Sequence, residues 1–185
     1  MSDELDAIAA TTAFGMGVDK PNVRFVLHSE PSDSVDSYFQ EVGRAGRDGE
    51  PADAVLFYRV EDLGLRRFFA GGGDSEERRE WERSRVEMMR AYAEHDHCRR
   101  AFVLSYFGEH AADPCGNCDN CEAGRGAAED GDRPFEVGAG VTHADWGEGV
   151  VQRYDDDAMV VLFDDVGYKT LALEVVRERA LLTAA

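Results

Sequence analysis

Short apolar runs bounded by polar or glycine-containing segments recur over the first third of the chain. They fall at residues 5–12 (LDAIAATT), 23–28 (VRFVLH) and 53–58 (DAVLFY), and they predict three short strands. Residues 34–45 carry apolar side chains at helical spacing after a proline-containing polar segment, which predicts a helix. Strands that alternate with a helix favour an α/β fold, with a parallel sheet and helices on its faces.

A helical period replaces this pattern after the glycine run at residues 71–73. Residues 75–94 and 98–107 each place their large apolar side chains on one face, which predicts two amphipathic helices. The members of the two stripes are Trp81, Met88, Met89, Tyr92, Phe102, Val103, Tyr106 and Phe107. We interpret both stripes as core packing, because that is what such spacing most often means.

The last third of the chain is rich in β-forming residues. Residues 123–134 are small, charged and glycine-rich, which indicates a linker. Beyond them, four or five short β-rich runs alternate with Asp- and Gly-rich hairpin loops, which predicts a small β-barrel at 135–185 that folds by itself. Its aromatic residues Trp146, Tyr154 and Phe163 are expected to form its core.

Composition limits the classes of function. The formal net charge of -18 argues against a simple DNA-coating protein, because phosphate contacts need a positive surface. It is compatible with local contacts to a strand, since nearly all of the 20 basic residues are arginines. No apolar run is long enough to span a membrane, and the acidic first residues are unlike a signal peptide. We therefore expect a cytoplasmic protein.

All four cysteines fall in one segment, with the spacing C-x16-C-x2-C-x2-C. They are Cys98, Cys115, Cys118 and Cys121. Four thiolates separated by tight turns suit tetrahedral zinc, and a closed set of four sulfurs indicates a structural site. Two disulfides or an iron–sulfur cluster are the alternatives, although disulfides are disfavoured in a reducing compartment. The adjacent His95 and His97 are interpreted as surface or capping residues.

The string at residues 40–49 (QEVGRAGRDG) suggests phosphate chemistry. Arg44 and Arg47 lie three positions apart near the end of the predicted helix, flanked by glycines. Two guanidinium groups placed in this way can stabilise negative charge on a phosphoryl group.

These residues carry a resemblance to a known family. Residues 10–26 (ATTAFGMGVDKPNVRFV) and 40–49 look like motifs V and VI of the RecQ family of superfamily 2 DNA helicases. The strings Cys98-Arg99-Arg100 and Tyr106-Phe107-Gly108-Glu109, with residues 114–121 (PCGNCDNC), resemble the zinc subdomain of that family. The similarity covers roughly residues 5–122, and the motifs follow the order that the family has.

The resemblance implies a role for each matching position. Arg47 would be the arginine finger on the γ-phosphate, with Arg44, Gln40 and Gly43 near it in the ATP cleft. Three loop residues would contact DNA, namely Thr12, Gly15 and Gly17, and Asp19 would link that loop to the nucleotide site. The four cysteines would hold zinc. The implied layout is part of a RecA-like second lobe at 1–70, the zinc subdomain at 74–122, the linker and the barrel.

The chain also departs from the family. It contains neither a GxxxxGK[ST] phosphate loop nor a DExH-type box, so it resembles a fragment and is expected to lack ATPase activity alone. A Tudor-like barrel stands where many members carry a winged helix, and its net charge of about -6 predicts a protein partner rather than DNA. The expected function is that of a fragment of an ATP-dependent 3'-5' DNA helicase, acting on single-stranded and forked DNA in repair, recombination and replication. The alternative is a non-enzymatic zinc and barrel adaptor.

Overall fold

A computed structural model describes residues 6–11, 19–64, 75–109, 114–126, 133–155 and 157–185. Its N-terminal part is a strand–helix–strand unit made of β1 (Phe25–His28), α1 (Val35–Val42) and β2 (Asp53–Leu56). The two strands pair in parallel, as the alternation of strands and helix predicts. The Ser34 side chain accepts a hydrogen bond from the backbone of Ser37 and so begins α1.

The prediction of a strand at residues 5–12 is wrong for the part of this segment that the structure describes. Residues 6–11 are exposed and have no regular structure, and Ile8 is 59% exposed. A strand needs a neighbour for its backbone hydrogen bonds. Within the described ranges this sheet contains only β1 and β2. In this two-stranded sheet, the β1 side chains Phe25 and Leu27 are about half exposed, at 46% and 54%.

The middle of the chain is helical. The apolar stripes predicted α2 (Glu76–Glu94) and α3 (Arg99–Tyr106), while the one-turn α4 (Asp119–Glu122) was not predicted. The core between these helices and α1 also includes one side chain from the C-terminal region. Its buried members are Val35, Tyr38, Met88, Met89, Tyr92, Phe102, Val103 and Val160.

The C-terminal region is a five-stranded antiparallel sheet in the order β6-β5-β4-β3-β7. Its elements are β3 (Gly140–His143), β4 (Gly147–Asp155), β5 (Ala158–Phe163), β6 (Gly167–Ala172), α5 (Leu173–Arg179) and β7 (Leu182–Ala184). The register shifts between Val151 and Arg153, so β4 bends there. Phe163 is fully buried, while Trp146 and Tyr154 are partly buried against the same core. This confirms the prediction of a small barrel-like β region.

The C-terminal sheet packs directly on the helices, a contact that the sequence pattern did not predict. Val160 of β5 is fully buried in the helical core. The Tyr168 ring stacks between the rings of Trp81 and Tyr106, with centroid distances of 6.3 and 5.2 Å. At the edge of this contact, Lys169 Nζ lies 2.5 Å from Glu80 Oε1. The domain boundaries inferred from sequence stay predictions, but the two regions share a core.

Candidate zinc centre and nucleotide-site segment

The four cysteines converge on one point. Their Sγ atoms all lie within 4.8 Å of one another, and none of the four is in a disulfide. The Cys115 and Cys121 sulfurs are 3.9 Å apart. Zinc–sulfur bonds of about 2.3 Å in a tetrahedron separate the sulfurs by about 3.8 Å, so the cluster fits a zinc ion. The four sulfurs leave no coordination position for a substrate, as is typical of a structural metal.

The backbone around the cysteines is shaped for close packing. Gly116 adopts a φ of +74° between Cys115 and Cys118, a conformation that side chains other than glycine rarely adopt. At Gly126, a Cβ atom would lie 2.6 Å from the Cys121 sulfur and 3.0 Å from Pro114 Cβ. The Gly126 carbonyl accepts a hydrogen bond from the Cys98 amide at 3.2 Å, which ties the two ends of the cluster together.

Hydrogen bonds from backbone amides favour the thiolate form of Cys98 and Cys118. The Cys98 sulfur accepts from the amides of Ala101, at 3.4 Å, and Cys115, at 3.3 Å. Burial raises the pKa of the Cys118 thiol, but hydrogen bonds from the amides of Cys121 and Arg99 outweigh it and lower the pKa to about 7. Burial instead raises the pKa of the Cys115 thiol, and that of the Cys121 thiol to about 12, so a metal that binds all four sulfurs must displace protons at these two positions.

A second layer of polar contacts fixes the segments that carry the cysteines. The buried Asn120 amide donates to the carbonyls of His95 and His97, both at 2.7 Å. Arg99 forms a bidentate ion pair with Asp119, and this pair holds the pKa of the Asp119 carboxyl below its usual range. Neither histidine ring belongs to the sulfur cluster. Asn120 was missed as a supporting residue, because its spacing between cysteines suggested only a turn.

The arginine segment meets the end of the motif V-like segment through an ion pair. Arg47 Nη1 lies 2.7 Å from Asp19 Oδ1, and the two side chains are 41% and 85% exposed. The turn before Arg47 is held by Gly46, whose φ is +64° and whose amide donates to the Val23 carbonyl at 2.9 Å. The structure therefore brings together two residues that the resemblance placed in the same site.

A second ion pair beside the first was missed by sequence reasoning. Arg24 Nη2 lies 2.6 Å from both carboxylate oxygens of Asp48, and Arg24 Nη1 donates to the Pro51 carbonyl at 3.0 Å. This pair ties the start of β1 to the turn that follows Arg47. Both residues lie inside the motif-like strings, but nothing in their spacing paired them.

The structure describes only some of the remaining predicted site residues. Gln40 is exposed on the last turn of α1, and Arg44 is partly buried just beyond it. Gly43 ends that helix, and a Cβ there would lie 3.0 Å from the Phe39 carbonyl oxygen. The predicted DNA-contacting residues Thr12, Gly15 and Gly17 lie outside the described residues.

Comparison with known proteins agrees with this arrangement. The family described as "Helicase conserved C-terminal domain" matches residues 2–49, and the family described as "RecQ zinc-binding" matches residues 60–122. Through these segments, the chain is similar to the C-terminal helicase and zinc-binding regions of RecQ-type helicases. The zinc-binding match and the four-sulfur geometry together identify a structural zinc site.

Named RecQ proteins are similar over the same part of the chain. "ATP-dependent DNA helicase RecQ" of Bacillus subtilis is 42% identical over 69% of this chain and 22% of its own length. The protein of the same name from Haemophilus influenzae is 45% identical over 64% of this chain and 19% of its own length. "RecQ-like DNA helicase BLM" of Xenopus laevis is 41% identical over 64% of this chain and 10% of its own length. The chain thus spans about a fifth or less of these relatives.

In the described part of the chain, no helix is both long enough and apolar enough to cross a bilayer.

Proposed function

We propose that this chain supplies the arginine-bearing part of the ATP site and the zinc region of a RecQ-type, ATP-dependent 3'-5' DNA helicase. The activity would serve DNA repair, recombination and replication. The observation that carries the proposal is the Arg47–Asp19 ion pair, at 2.7 Å, in the same chain as a four-sulfur cluster. This ion pair joins the segments that resemble motifs V and VI, and the resemblance places both motifs at one nucleotide site.

The chemistry proposed for this segment is electrostatic. The Arg47 guanidinium would neutralise charge that develops on the γ-phosphate, with Arg44, Gln40 and Gly43 lining the same cleft. Asp19 would orient Arg47 through the observed ion pair and connect it to the loop carrying Thr12, Gly15 and Gly17, which would contact the DNA backbone. ATP and Mg²⁺ would bind only together with the other motor lobe.

The chain by itself is expected to lack ATPase activity. Phosphoryl transfer needs a phosphate-loop lysine, a magnesium ligand and a base positioned together with the arginine. The sequence contains neither a GxxxxGK[ST] string nor a DExH-type box. The non-enzymatic adaptor reading is not favoured, because the matched helicase segment includes the string that carries Arg44 and Arg47.

The proposed DNA ligands are single-stranded and forked DNA, contacted locally. A net charge of -18 disfavours broad contact with phosphates, so affinity would depend on a few arginines and backbone amides. The cytoplasm remains the proposed location.

The C-terminal sheet is proposed to contact a protein rather than DNA. Two of its basic side chains face inward, since Arg153 is 5% exposed and Lys169 pairs with Glu80. Its exposed surface includes Glu148, Asp164 and Asp165. We propose Trp146 or Tyr154 as the anchor of this contact, since both side chains are partly exposed and Trp146 stacks at 4.1 Å on His143.

The proposal is tested by measuring DNA-stimulated ATP turnover after combining this chain with the first motor lobe of a close relative. We expect Arg47→Ala to reduce turnover by roughly 10³-fold, with a much smaller change in nucleotide affinity. The matched control is Arg59→Ala, which removes an exposed arginine paired only locally with Asp62. Near-normal turnover of the Arg47 variant would contradict the assignment and would make Arg44 the next residue to test.

A further inference from the structure

The contact between the C-terminal sheet and the zinc region contains a buried cation. Arg153 of β4 is 5% exposed, and its guanidinium carbon lies 3.8 Å from the centre of the Phe102 ring on α3. Its carboxylate partner is Asp155 on the same strand. Burial lowers the pKa of Arg153 to about 10. A charge removed from water in this way needs its ring and its carboxylate partner to stay in place.

The residues that hold Arg153 are held in turn by the metal-binding segment. Cys98 is the N-cap of α3, and its sulfur accepts the Ala101 amide while its carbonyl accepts the Phe102 amide at 3.1 Å. Phe102 therefore lies one helical turn from a metal-binding sulfur. Moving Cys98 would move the ring beneath Arg153.

A second connection runs through His95. Its imidazole Nδ1 lies 3.7 Å from Asp155 Oδ1, and its ring packs at 5.0 Å against Phe102. Its carbonyl accepts the Asn120 amide, and Asn120 lies between Cys118 and Cys121. Both sides of the Arg153 site are thus connected to the sulfur cluster through a few contacts.

From these contacts we propose that zinc binding and docking of the C-terminal sheet are thermodynamically coupled. The metal orders Cys98 and Asn120, these fix Phe102 and His95, and the two rings complete the site for Arg153 and Asp155. The sheet is then an integral part of the zinc region rather than a tethered module. Coupling is reciprocal: docking raises the affinity for zinc by the same factor by which zinc favours docking, so weakening the docking weakens zinc binding. This inference stands independently of the proposed helicase activity.

The test uses the full zinc-loaded chain and a colorimetric zinc chelator. We expect Arg153→Met to release its zinc at about tenfold lower chelator concentration than the unmodified chain. The matched control is Arg177→Met on α5, an exposed arginine at which zinc release should not change. If Arg153→Met does not fold, Lys169→Met, which removes the ion pair with Glu80 and the ammonium group over the Trp146 ring, should shift release in the same direction.

Fluorescence supplies a second readout, because the two tryptophans report on different places. Trp81 stacks on Tyr168 across the contact, whereas Trp146 stacks on His143 within the sheet. In the Trp146→Phe variant, all tryptophan emission comes from Trp81, and chelation should change it. The Trp81→Phe variant reports on Trp146 alone, whose emission is not required to change. Unchanged Trp81 emission after zinc removal, or equal zinc release from the Arg153 and Arg177 variants, would overturn the coupling.

Discussion

Replacing Gly167 with alanine tests how tightly the C-terminal sheet is docked. Gly167 begins β6 with a φ of +71°. A Cβ atom there would overlap the Ser84 hydroxyl and lie 2.9 Å from Trp81 Cε3. We expect two costs: about 1–2 kcal/mol for a side chain at this backbone conformation, and a further ~1–3 kcal/mol for overpacking against α2.

Gly147 allows the two costs to be separated. It begins β4 in the same sheet, with a φ of +73°, and the nearest atom to its Cβ would be Asp165 Oδ2 at 3.9 Å. Gly147→Ala should therefore show the backbone cost alone. The assay is urea unfolding followed by circular dichroism, and the difference between the variants measures the contact with α2.

A double variant checks that the additional cost arises at Ser84. Adding Ser84→Ala removes the hydroxyl that the new methyl group meets, so the two changes should be non-additive by about 0.5–3 kcal/mol. If Gly167→Ala and Gly147→Ala destabilise the chain equally, the sheet moves freely away from α2. The docked arrangement would then be refuted.

Three further changes probe the zinc region and the polar network beside it. Cys118→Ser should reduce the zinc measured by elemental analysis from one ion per chain to almost none and should unfold the helices around the cluster; iron in the unmodified protein would contradict the assignment. Asn120→Ala should cost about 1–3 kcal/mol by leaving the His95 and His97 carbonyls without their donor, whereas Ala at the exposed Asn117 should cost little. Burial raises the pKa of Asp36, but hydrogen bonds from Arg85, Tyr106 and Ser34 outweigh it and leave the pKa below its usual range. Asp36 therefore stabilises the fold above its unfolded pKa of about 3.9 and loses that effect as the pH falls through the lower folded pKa. Asp36→Asn should thus destabilise the chain at pH 7, and progressively less as the pH falls below the unfolded pKa, in thermal melts; a constant difference would contradict the linkage.

Local signals were enough to predict α1, α2 and α3, two of the three N-terminal strands and the cysteine cluster, whereas the short helices α4 and α5 were not predicted. Each depends on neighbours in sequence: helical spacing over residues 75–94, β-rich runs with turn residues, and two-residue gaps between cysteines. The strand predicted at residues 5–12 failed where it is described, since a strand also needs partners that no local pattern supplies.

The contacts between distant segments were not predictable in the same way. Asp36 receives hydrogen bonds from Arg85 at 2.7 Å and from Tyr106 at 2.9 Å, across 49 and 70 positions of sequence. Arg153 reads as a polar position in a β-rich run, and its burial follows only from the bend in β4 and the position of Phe102. Such contacts are set by tertiary packing, which cannot be inferred from the spacing of apolar residues along the chain.

The double use of Cys98 makes the four sulfurs unequal. Cys98 caps α3 with its sulfur as well as contributing it to the cluster, whereas the Cys118 side chain forms no capping hydrogen bond with α4. Exchanging ligand types should therefore be tolerated differently from one position to the next. A histidine in place of Cys118 would preserve a zinc-binding group without removing a capping hydrogen bond. A histidine in place of Cys98 would supply the same group and remove the cap of α3, so a mixed ligand set should be tolerated less well at Cys98 than at Cys118.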